Sequence, residues 1–448
     1  MTVPERSDRG RSGPLWLYSI AWWLATPALL ASLVWRGVRQ PGYLRSVAER
    51  FGYCRARGGT QRLIWLHAVS VGETRAAEPL LRAIAARWPD ATILLTHMTP
   101  TGRATGSTIF ADLIASGRLE QCWLPWDYPG ATRRMLRRMR PTIGILLETE
   151  LWPNLVYAAA REAVPMVLVN ARLSEKSLRK GRRWRALIEP ALLSLRQVLA
   201  QTSPDAERLA QLGRGDVPAL GNLKFDIQPP ESMLTLGGRW RECLLSREPS
   251  KQVIVVASTR EGEEAMLFDA WRQRFSPERS DTRPLLVVVP RHPQRFGEVY
   301  ALAKEVGWKV ARRSEFAGSE PDVDALSADV LVGDSMGEMF AWYVFADLAI
   351  IGGSFAPLGG QNLIEACAVG RPIIVGPHMF NFEEISRDAI AAGAAVRATD
   401  MAQAVNESLD LIADEPRRQA KSQAAKSFAT QHRGATQRTL DSIAELLS

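Results

Sequence analysis

The segment Leu63–Arg87, LIWLHAVSVGETRAAEPLLRAIAAR, contains the unit that repeats along this chain. Its apolar run Leu63–Val69 predicts a strand, the polar Ser70–Thr74 a turn, and Ala76–Arg87 a helix. Uninterrupted apolar strands that alternate with helices are typical of parallel sheets covered on both faces. Similar apolar runs occur at residues 91–96, 142–147, 166–169, 252–257, 284–289, 330–332, 348–351 and 372–375. We therefore predict the α/β class, with doubly wound parallel sheets.

A proline-rich break, Asp226–Met233 (DIQPPESM), divides these strands into two groups. The chain has 448 residues, which at roughly 100–200 residues per domain predicts two domains. Apolar residues make up 46% and charged residues 23%, which fits a globular protein and excludes a disordered or fibrous chain. The predicted organisation is a membrane-anchor segment over 1–40, a first domain over 41–228 and a second over 229–448, with the C-terminal helix a candidate to cross back.

The balance of charge is basic, because 56 Lys and Arg stand against 48 Asp and Glu, for a formal net charge of +8. Such an excess favours anionic partners, namely nucleic acids, acidic lipids or phosphorylated substrates. The four cysteines are far apart and form no Cys-x-x-Cys pair. This spacing argues against a disulfide scaffold or a structural zinc site, and it favours a reducing compartment.

The run Leu15–Trp35, LWLYSIAWWLATPALLASLVW, carries no charged residue. It is long enough for a helix to cross a hydrocarbon core of about 30 Å. Its tryptophans also suit a helix that lies in the headgroup interface. A buried helix of the soluble fold is the alternative. We expect a membrane anchor beside a soluble body, and the sequence leaves open whether this helix spans the bilayer or lies in its interface.

The first domain carries candidate catalytic residues at the ends of two predicted strands and just before the proline-rich break. Glu73 follows a strand in a Ser-Val-Gly-Glu turn, where it is a candidate general base or a charge that stabilises a helix N-terminus. Glu148 and Glu150 end another strand, where they repel each other unless a cation or a proton separates them; alternatively, one of them caps the next helix. Lys224 closes the domain between two apolar neighbours and is a candidate to point into an interdomain cleft.

The second domain carries candidate ligand-binding loops after its strands. Arg291 follows the run PLLVVVP, and an arginine fork binds phosphate or carboxylate bidentately. Gly352–Glu365 joins a strand to a helix predicted to start near Gln361. The glycines would let a ligand approach the backbone, and the helix start favours phosphate. Glu365, in the first turn, could accept hydrogen bonds from two ribose hydroxyls.

A rival signal is Gly333–Gly337 (GDSMG), which matches the Gly-x-Ser-x-Gly turn of serine hydrolases and would make Ser335 a nucleophile. Against this, the upstream His-Gly-Gly-Gly motif is absent. The alternative is that Gly337–Met339 opens a helix whose amides bind phosphate. The Asp-x-Asp at Asp322–Asp324 sits in an irregular acidic loop, and we expect no metal there.

A series of motifs occurs in order along nearly the whole chain: HAVSVGE, MTPTG, ETELWPN, NARLS, GNLKFD, STREGEE, VPRHPQRF, GDSMGE, GGSF, GGQNLIEA and GPHMFNFEE. In this series the chain resembles the 3-deoxy-D-manno-octulosonic acid (Kdo) transferases of Gram-negative bacteria. The resemblance implies the GT-B fold, in which two Rossmann-like domains face each other across a cleft. It also implies an inverting transfer of Kdo from CMP-Kdo to the tetra-acylated lipid A precursor (lipid IVA), for lipopolysaccharide biosynthesis at the cytoplasmic face of the inner membrane.

The resemblance also implies roles for particular residues. Glu73 matches the general base, and Glu148 and Lys224 match residues that assist the transition state. The implied CMP contacts are Pro290, Arg291, Gly337, Glu338, Met339, Asn362, Leu363, Ile364 and Glu365. One departure is Gln361, where many relatives have His, and an amide cannot take up a proton there.

The implied partners are CMP-Kdo, the lipid A precursor and anionic inner-membrane lipid, without a metal, cofactor, nucleic acid or protein partner. Three alternatives remain: a serine hydrolase, another GT-B sugar-nucleotide enzyme such as an epimerase, and a membrane-tethered nucleotide-binding module. An epimerase needs no anchor, and a binding module leaves Glu73, Glu148 and Lys224 unexplained.

Overall fold

The computed structural model describes residues 12–58, 61–276, 283–316 and 318–447. The chain divides into two compact units. One runs through Ile227 and resumes at Arg433, and the other is Gln228–His432. Each unit is built on a parallel sheet, which confirms the predicted fold class.

The first unit contains a six-stranded sheet in the order β3-β2-β1-β4-β5-β6, with every pair parallel. Its strands are β1 Leu63–His67, β2 Thr92–His97, β3 Leu119–Trp123, β4 Ile143–Leu147, β5 Met166–Ala171 and β6 Gln197–Ala200. The order reverses between β1 and β4, where Ile64 pairs with Ile143. In open parallel sheets, ligands bind outside the carboxyl ends of the strands at such a reversal.

β1, β2, β4 and β5 are buried along their whole length, because helices cover both faces of this sheet. Ile64 and Leu66 pack with Leu80 and Ile84 on one face, and Trp65 belongs to the core on the other face. The helices are α1 Ser12–Arg39, α2 Val71–Arg87, α3 Pro100–Ile109, α4 Ala111–Ala115, α5 Pro129–Met139, α6 Pro153–Arg161, α7 Glu175–Arg183, α8 Arg185–Ser194 and α9 Ser203–Gln211. Short 3-10 helices lie at Pro41–Leu44, Val47–Phe51 and Leu223–Asp226.

The second unit contains a seven-stranded sheet in the order β13-β12-β11-β7-β8-β10-β9, also parallel throughout. Its strands are β7 Val253–Thr259, β8 Leu285–Pro290, β9 Val310–Arg312, β10 Val330–Val332, β11 Leu348–Ile351, β12 Ile373–Val375 and β13 Ala395–Arg397. The order reverses between β7 and β11, which makes this edge the expected ligand position. The helices are α10 Glu231–Leu245, α11 Glu263–Arg274, α12 Phe296–Glu305, α13 Val323–Leu326, α14 Met339–Phe345, α15 Ile364–Ala368, α16 Glu383–Ala391, α17 Met401–Ala413 and α18 Glu415–Gln431, with 3-10 turns at Pro293–Arg295 and Arg313–Glu315.

The last helix, α19 Ala435–Ala444, belongs to the first unit. Leu440 and Ile443 are buried in the core that α2 also lines. The Asp226 carboxylate accepts hydrogen bonds from the Gly434 and Thr436 N–H groups at 2.6 and 2.5 Å, so it caps the start of this helix. The second unit thus ends at His432.

Helix α1 contains the predicted anchor run and extends beyond it at both ends. Its most apolar 18-residue segment has a mean hydropathy of 1.5 and is only 6% buried, and the helix is long enough to cross a membrane. This exposure argues against the alternative of a buried helix. Its outward side carries Trp16, Trp23 and Leu24, which are 63%, 60% and 77% exposed.

The other side of α1 packs on the first unit. The Tyr18 hydroxyl donates to the Asp127 carboxylate at 3.0 Å, and the Ser19 hydroxyl donates to Asn154 Oδ1 at 3.0 Å. Trp22 packs edge-on against Tyr128, with ring centroids 5.6 Å apart. The helix is therefore docked along one face and apolar along the other.

Candidate active site

Glu73 lies at the order reversal of the first sheet, in the first turn of α2 after β1. Its carboxylate accepts hydrogen bonds from the Val69 N–H at 2.8 Å and the Ser70 hydroxyl at 3.3 Å. Ser70 is also the N-cap that accepts the Glu73 N–H at 3.5 Å. The position of Glu73 in the first turn thus also fits the alternative of a charge that stabilises the helix N-terminus. These hydrogen bonds fix the carboxyl in position without consuming all of its acceptor capacity.

The electrostatic environment of Glu73 departs from that of a simple cap. Burial, with smaller contributions from the nearby carboxylates of Glu148 and Glu150, raises the pKa of Glu73 to about 8. The Val69 hydrogen bond and the Lys224 ammonium act in the opposite direction. A carboxyl with this pKa can take up a proton near neutral pH, which is the property a general base needs.

Glu148 and Lys224 form an ion pair close to Glu73. Glu148 is the first residue after β4, and Lys224 Nζ lies 2.7 Å from its Oε1. Their side chains are only 15% and 16% exposed. Of the two possibilities that the sequence left open beside these carboxylates, a cation or a proton, the structure shows a cation, Lys224. Glu148 also has a φ of +54°, a strained value for a residue with a side chain, and such values cluster at functional sites.

Glu150 does not cap α6, and neither does Glu148. The Glu150 carboxylate accepts the Trp152 indole N–H at 3.0 Å. The N–H groups of Asn154 and Leu155 at the helix start donate instead to Asp127, at 3.0 and 2.8 Å. The capping alternative for this carboxylate pair is therefore wrong, since Asp127 on a neighbouring loop performs it.

A network of amides that the sequence analysis did not identify positions Lys224. The Asn222 side chain accepts the Lys224 N–H at 3.0 Å, and Asn170 Oδ1 accepts the Leu223 N–H at 3.0 Å. Gln201 joins these two asparagines, donating to the Asn170 carbonyl at 2.9 Å and accepting from Asn222 at 3.0 Å. The available signal was the presence of asparagine in two of the motifs, NARLS and GNLKFD.

Glu263 was also missed, and it organises the order reversal of the second sheet. This fully buried carboxylate accepts N–H groups from Gly353 at 2.6 Å and Phe355 at 2.9 Å, in the loop after β11. It also accepts the Arg260 N–H at 2.9 Å, in the loop after β7. Glu263 therefore joins the two loops between which a ligand is expected.

The glycine-rich loop ends in a short helix that begins at Ile364, later than the predicted start near Gln361. Gly360 has a φ of +75°, and a Cβ there would lie 2.2 Å from Met379 Sδ, so the loop requires glycine. The Asn362 side chain accepts the Ile364 N–H at 3.1 Å and donates to the Glu365 carboxylate at 3.2 Å. Asn362 delays the helix start because its side chain replaces the first helical hydrogen bond, and it orients Glu365.

The other implied nucleotide contacts follow neighbouring strands. Arg291 comes directly after β8, whose last residue is Pro290, and its N–H donates to the Thr259 carbonyl at 3.0 Å. Gly337–Met339 follows β10, which pairs with β8. The Glu338 carboxylate is held by Arg313 at 3.0 and 2.9 Å and also accepts the Ser335 hydroxyl.

This arrangement argues against the hydrolase alternative. The Ser335 hydroxyl donates to a carboxylate already neutralised by Arg313, and such a carboxylate is a poor base for activating a nucleophile.

In the Asp-x-Asp segment, the Asp322 carboxylate accepts the Ala325 N–H at 2.9 Å and so caps α13. Within the described residues, no group of three or more His, Cys, Asp or Glu side chains has metal-site geometry.

The structure thus brings Glu73, Glu148 and Lys224 together in the first unit. It places the implied nucleotide contacts at the end of β8 and on the segments that follow β8, β10 and β11 in the second unit, including the first residues of α14 and α15. Each set lies at the carboxyl edge of its own sheet, the edge where open parallel sheets bind ligands.

Comparison with known proteins adds an independent observation. The family model described as 3-deoxy-D-manno-octulosonic-acid transferase (kdotransferase) matches residues 45–227. A 3-deoxy-D-manno-octulosonic acid transferase from Bordetella pertussis is 48% identical over 418 residues, which cover 92% of this chain and 95% of that protein. The enzyme of that name from Haemophilus influenzae is 30% identical over 426 residues, covering 93% and 95%.

Solved structures of related fold include S. aureus MnaA with UDP, with a TM-score of 0.57 and 15% identity over 86% of this chain and 97% of that one. A putative UDP-N-acetylglucosamine 2-epimerase from Listeria monocytogenes has a TM-score of 0.56 and 14% identity, covering 85% and 95%. At these identities the likeness concerns the fold, and it agrees with the two-domain GT-B class.

Proposed function

The chain belongs to the Kdo transferase family, and from this premise we propose that it transfers Kdo from CMP-Kdo to lipid IVA with inversion at the anomeric carbon. The observation that carries the proposal is the 48% identity to a Kdo transferase over 92% of the chain. The raised pKa of the Glu73 carboxyl, beside the Glu148–Lys224 ion pair, supports the proposal, because glycosyl transfer to a hydroxyl needs a base.

In the proposed reaction, Glu73 accepts the proton of the acceptor hydroxyl as that oxygen attacks the anomeric carbon of Kdo. The bond from this carbon to the phosphate oxygen of CMP breaks, and a single displacement inverts the configuration. Glu148 and Lys224 form a fixed ion pair beside the base. This pair stabilises the charge that develops in the transition state without having to reorganise.

The second unit holds the donor in this proposal. The Arg291 guanidinium binds the phosphate of CMP, and the backbone at Gly337–Met339 contributes N–H groups. The Glu338 side chain stays with Arg313, so its contact with CMP is through the backbone. Glu365, oriented by Asn362, accepts hydrogen bonds from the ribose hydroxyls. With the leaving phosphate stabilised by these groups, the transfer proceeds without a metal ion.

The acceptor is a lipid, and the apolar face of α1 keeps the enzyme at the membrane that contains it. The donor is a cytosolic nucleotide sugar, so the proposed location is the cytoplasmic face of the inner membrane. The net charge of +8 suits an anionic donor, a phosphorylated acceptor and anionic lipid.

The test is incubation of the purified protein with CMP-Kdo and lipid IVA, followed by mass spectrometry of the lipid and determination of the anomeric configuration. We expect a lipid mass increase of one or more Kdo units, in inverted configuration. Retention of configuration would contradict the direct displacement, and no transfer to lipid IVA would contradict the acceptor. Conversion of a nucleotide sugar to its epimer, without transfer to lipid IVA, would favour the epimerase alternative.

A further inference from the structure

A cavity of about 850 Å³ lies in the first unit, between α1 and the helices α7 and α8. Its lining is mostly apolar and includes Leu168, Leu187 and Leu192. This volume falls within the range of about 300–1,000 Å³ that small-molecule sites have. Glu148 and Thr149 also line the cavity, so it reaches the candidate catalytic ion pair.

The cavity continues onto the apolar face of α1. Leu17 on α1 and Trp184 at the junction of α7 and α8 both line it, and they are 62% and 63% exposed. Ala21, one turn after Leu17, lines it as well and is also exposed. An apolar chain can therefore pass from the surface that α1 presents into the cavity without crossing a polar boundary.

Basic residues complete the edge of the cavity. Lys180 and Arg183 line it, and both are exposed on α7. The same helix, EKSLRKGRR, carries three further basic residues, Lys176, Arg179 and Arg182. An apolar cavity edged by cations fits a ligand with a fatty chain attached to an anionic head, because phosphate oxygens accept charge-assisted hydrogen bonds from lysine and arginine.

We propose that this cavity is an acyl slot, which binds one fatty acyl chain of the phosphorylated glycolipid acceptor. The basic residues of α7 hold the phosphate of that acceptor, and the bound chain directs the sugar hydroxyl toward Glu148 and Glu73. The acyl slot rests on the proposed function, since it assigns the position of the acceptor in that reaction. It predicts that the enzyme recognises the acyl chain itself, in addition to the membrane around it.

The test compares two variants of α1, Ala21→Trp and Ala25→Trp. Both alanines are exposed on the same helix, but only Ala21 lines the cavity. The two variants add the same apolar group to the membrane-facing helix, and only the first narrows the acyl slot. KM for lipid IVA in vesicles of phosphatidylethanolamine and phosphatidylglycerol is measured at saturating CMP-Kdo. We expect Ala21→Trp to raise it by about tenfold or more, since several methylene groups lose burial, and Ala25→Trp to leave it unchanged.

A second measurement does not depend on turnover. A lipid IVA analogue with a diazirine at the end of one acyl chain is photolysed with the enzyme in the same vesicles, and labelled peptides are mapped by mass spectrometry. We expect labelling of α8 around Leu187 and Leu192, lost in Ala21→Trp and kept in Ala25→Trp. Unlabelled lipid IVA should compete for this labelling.

Two results would overturn the acyl slot. One is equal KM for the two variants with labelling confined to the outer face of α1. The other is equal labelling of α8 by a diazirine phosphatidylglycerol that lipid IVA does not displace, which would assign the cavity to bulk lipid. If α8 were labelled by the analogue but no Kdo were transferred, the acyl slot would stand and the proposed function would fail.

Discussion

The Glu73 carboxyl is held in one position by hydrogen bonds and also has a raised pKa. The hydrogen bonds from Val69 and Ser70 determine its position, while burial and two neighbouring carboxylates raise its pKa to about 8. A raised acid pKa favours the protonated form in the folded state. The contribution of Glu73 to stability is therefore fully present below its ordinary pKa of 4.5 and is lost as the pH rises through 8. Ionisation of Glu73 in alkaline solution therefore lowers the stability of the fold.

The first prediction concerns the pH dependence of the reaction. Because the base must be ionised, we expect kcat/KM to rise with pH through an inflection near 8 and to level off above it. Glu73→Gln should remove this inflection and lower kcat by about 10²-fold or more, with CMP affinity unchanged. It should unfold no more readily than the unmodified protein at alkaline pH.

The control for this experiment is Glu78→Gln, which alters a half-buried carboxylate on the same helix that pairs with Arg82. Its pH profile should match that of the unmodified protein. A Glu73→Gln variant with near-normal turnover would mean that another group, first of all Glu148, is the base.

The second prediction concerns Lys224, whose charge lowers the pKa of Glu73. Lys224→Met should move the inflection in kcat/KM to higher pH and lower its plateau, because Glu148 then lies half-buried without its cation. Lys304→Met, a change of the same kind on α12, should have no effect on the profile. A reduced plateau with an unmoved inflection would show that Lys224 does not act on the base electrostatically.

At the residue scale, sequence could identify groups that act through their own side-chain chemistry. Glu73, Glu148 and Lys224 stand in motifs that resemble a known family, and the structure brings them together. Asn222 was not identified although it accepts the N–H of Lys224, only two residues away. Glu263 and Asn170 were not identified because they act on backbone N–H groups of loops far away in sequence. Such partners follow from the folded loop conformation and leave no spacing signal of their own.

At the scale of secondary structure, the buried strands were the predictable part. β4 and β8 are apolar throughout, and β1 is apolar up to its last residue, His67; all three were expected, whereas β3 and β6 were not. β3 lies at a sheet edge and exposes Glu120, and β6 has only four residues, so neither shows a long apolar run. The sequence did not predict the packing of α1 on the first unit either, because Tyr18 and Ser19 form hydrogen bonds with residues more than 100 positions away.

The third prediction concerns the two loops that Glu263 joins. Glu263→Gln replaces an acceptor for four N–H groups by an amide with one acceptor oxygen, so the loop after β11 loses part of its support. We expect the Kd for CMP to rise by about tenfold, measured by calorimetric titration. Glu261→Gln, on the exposed neighbour paired with Arg260, should leave the affinity unchanged. Equal affinities in both variants would separate this loop from nucleotide binding.

The fourth prediction concerns the outward face of α1. Trp16→Ser combined with Leu24→Ser removes two exposed apolar side chains and leaves the docked face intact. Because each large side chain contributes about 1.5–3 kcal/mol when it leaves water, we expect vesicle binding to weaken by at least about tenfold. Flotation with vesicles at high salt measures this, with Ala25→Ser as the control. Unchanged flotation would mean that the outward face of α1 is not the membrane contact.

At the scale of the whole molecule, the chemistry and the membrane attachment come from different parts of the chain. The candidate catalytic residues follow β1 and β4 or lie in the 3-10 helix Leu223–Asp226, and none lies on α1. Both faces of the first sheet are covered by other helices, so its core does not depend on α1. What α1 covers is a small separate cluster, in which Leu33 packs with Trp126 and Tyr128.

The fifth prediction follows from this separation. A protein that lacks residues 1–39 should fold, but with an unfolding free energy lower by about 2–4 kcal/mol, because Trp126 and Tyr128 lose the packing of Trp22 and Leu33.

The truncated protein should leave the membrane fraction at high salt, and at low salt some attachment should persist through basic residues such as those of α7. With detergent-dispersed lipid IVA, kcat should stay near normal while KM rises, since α1 forms one wall of the cavity. With lipid IVA in vesicles, activity should fall further, because the enzyme is no longer confined to the surface that holds its acceptor. A truncated protein that stayed on the membrane at high salt would contradict the anchor. One that was insoluble and inactive even in detergent would instead make α1 part of the structural core.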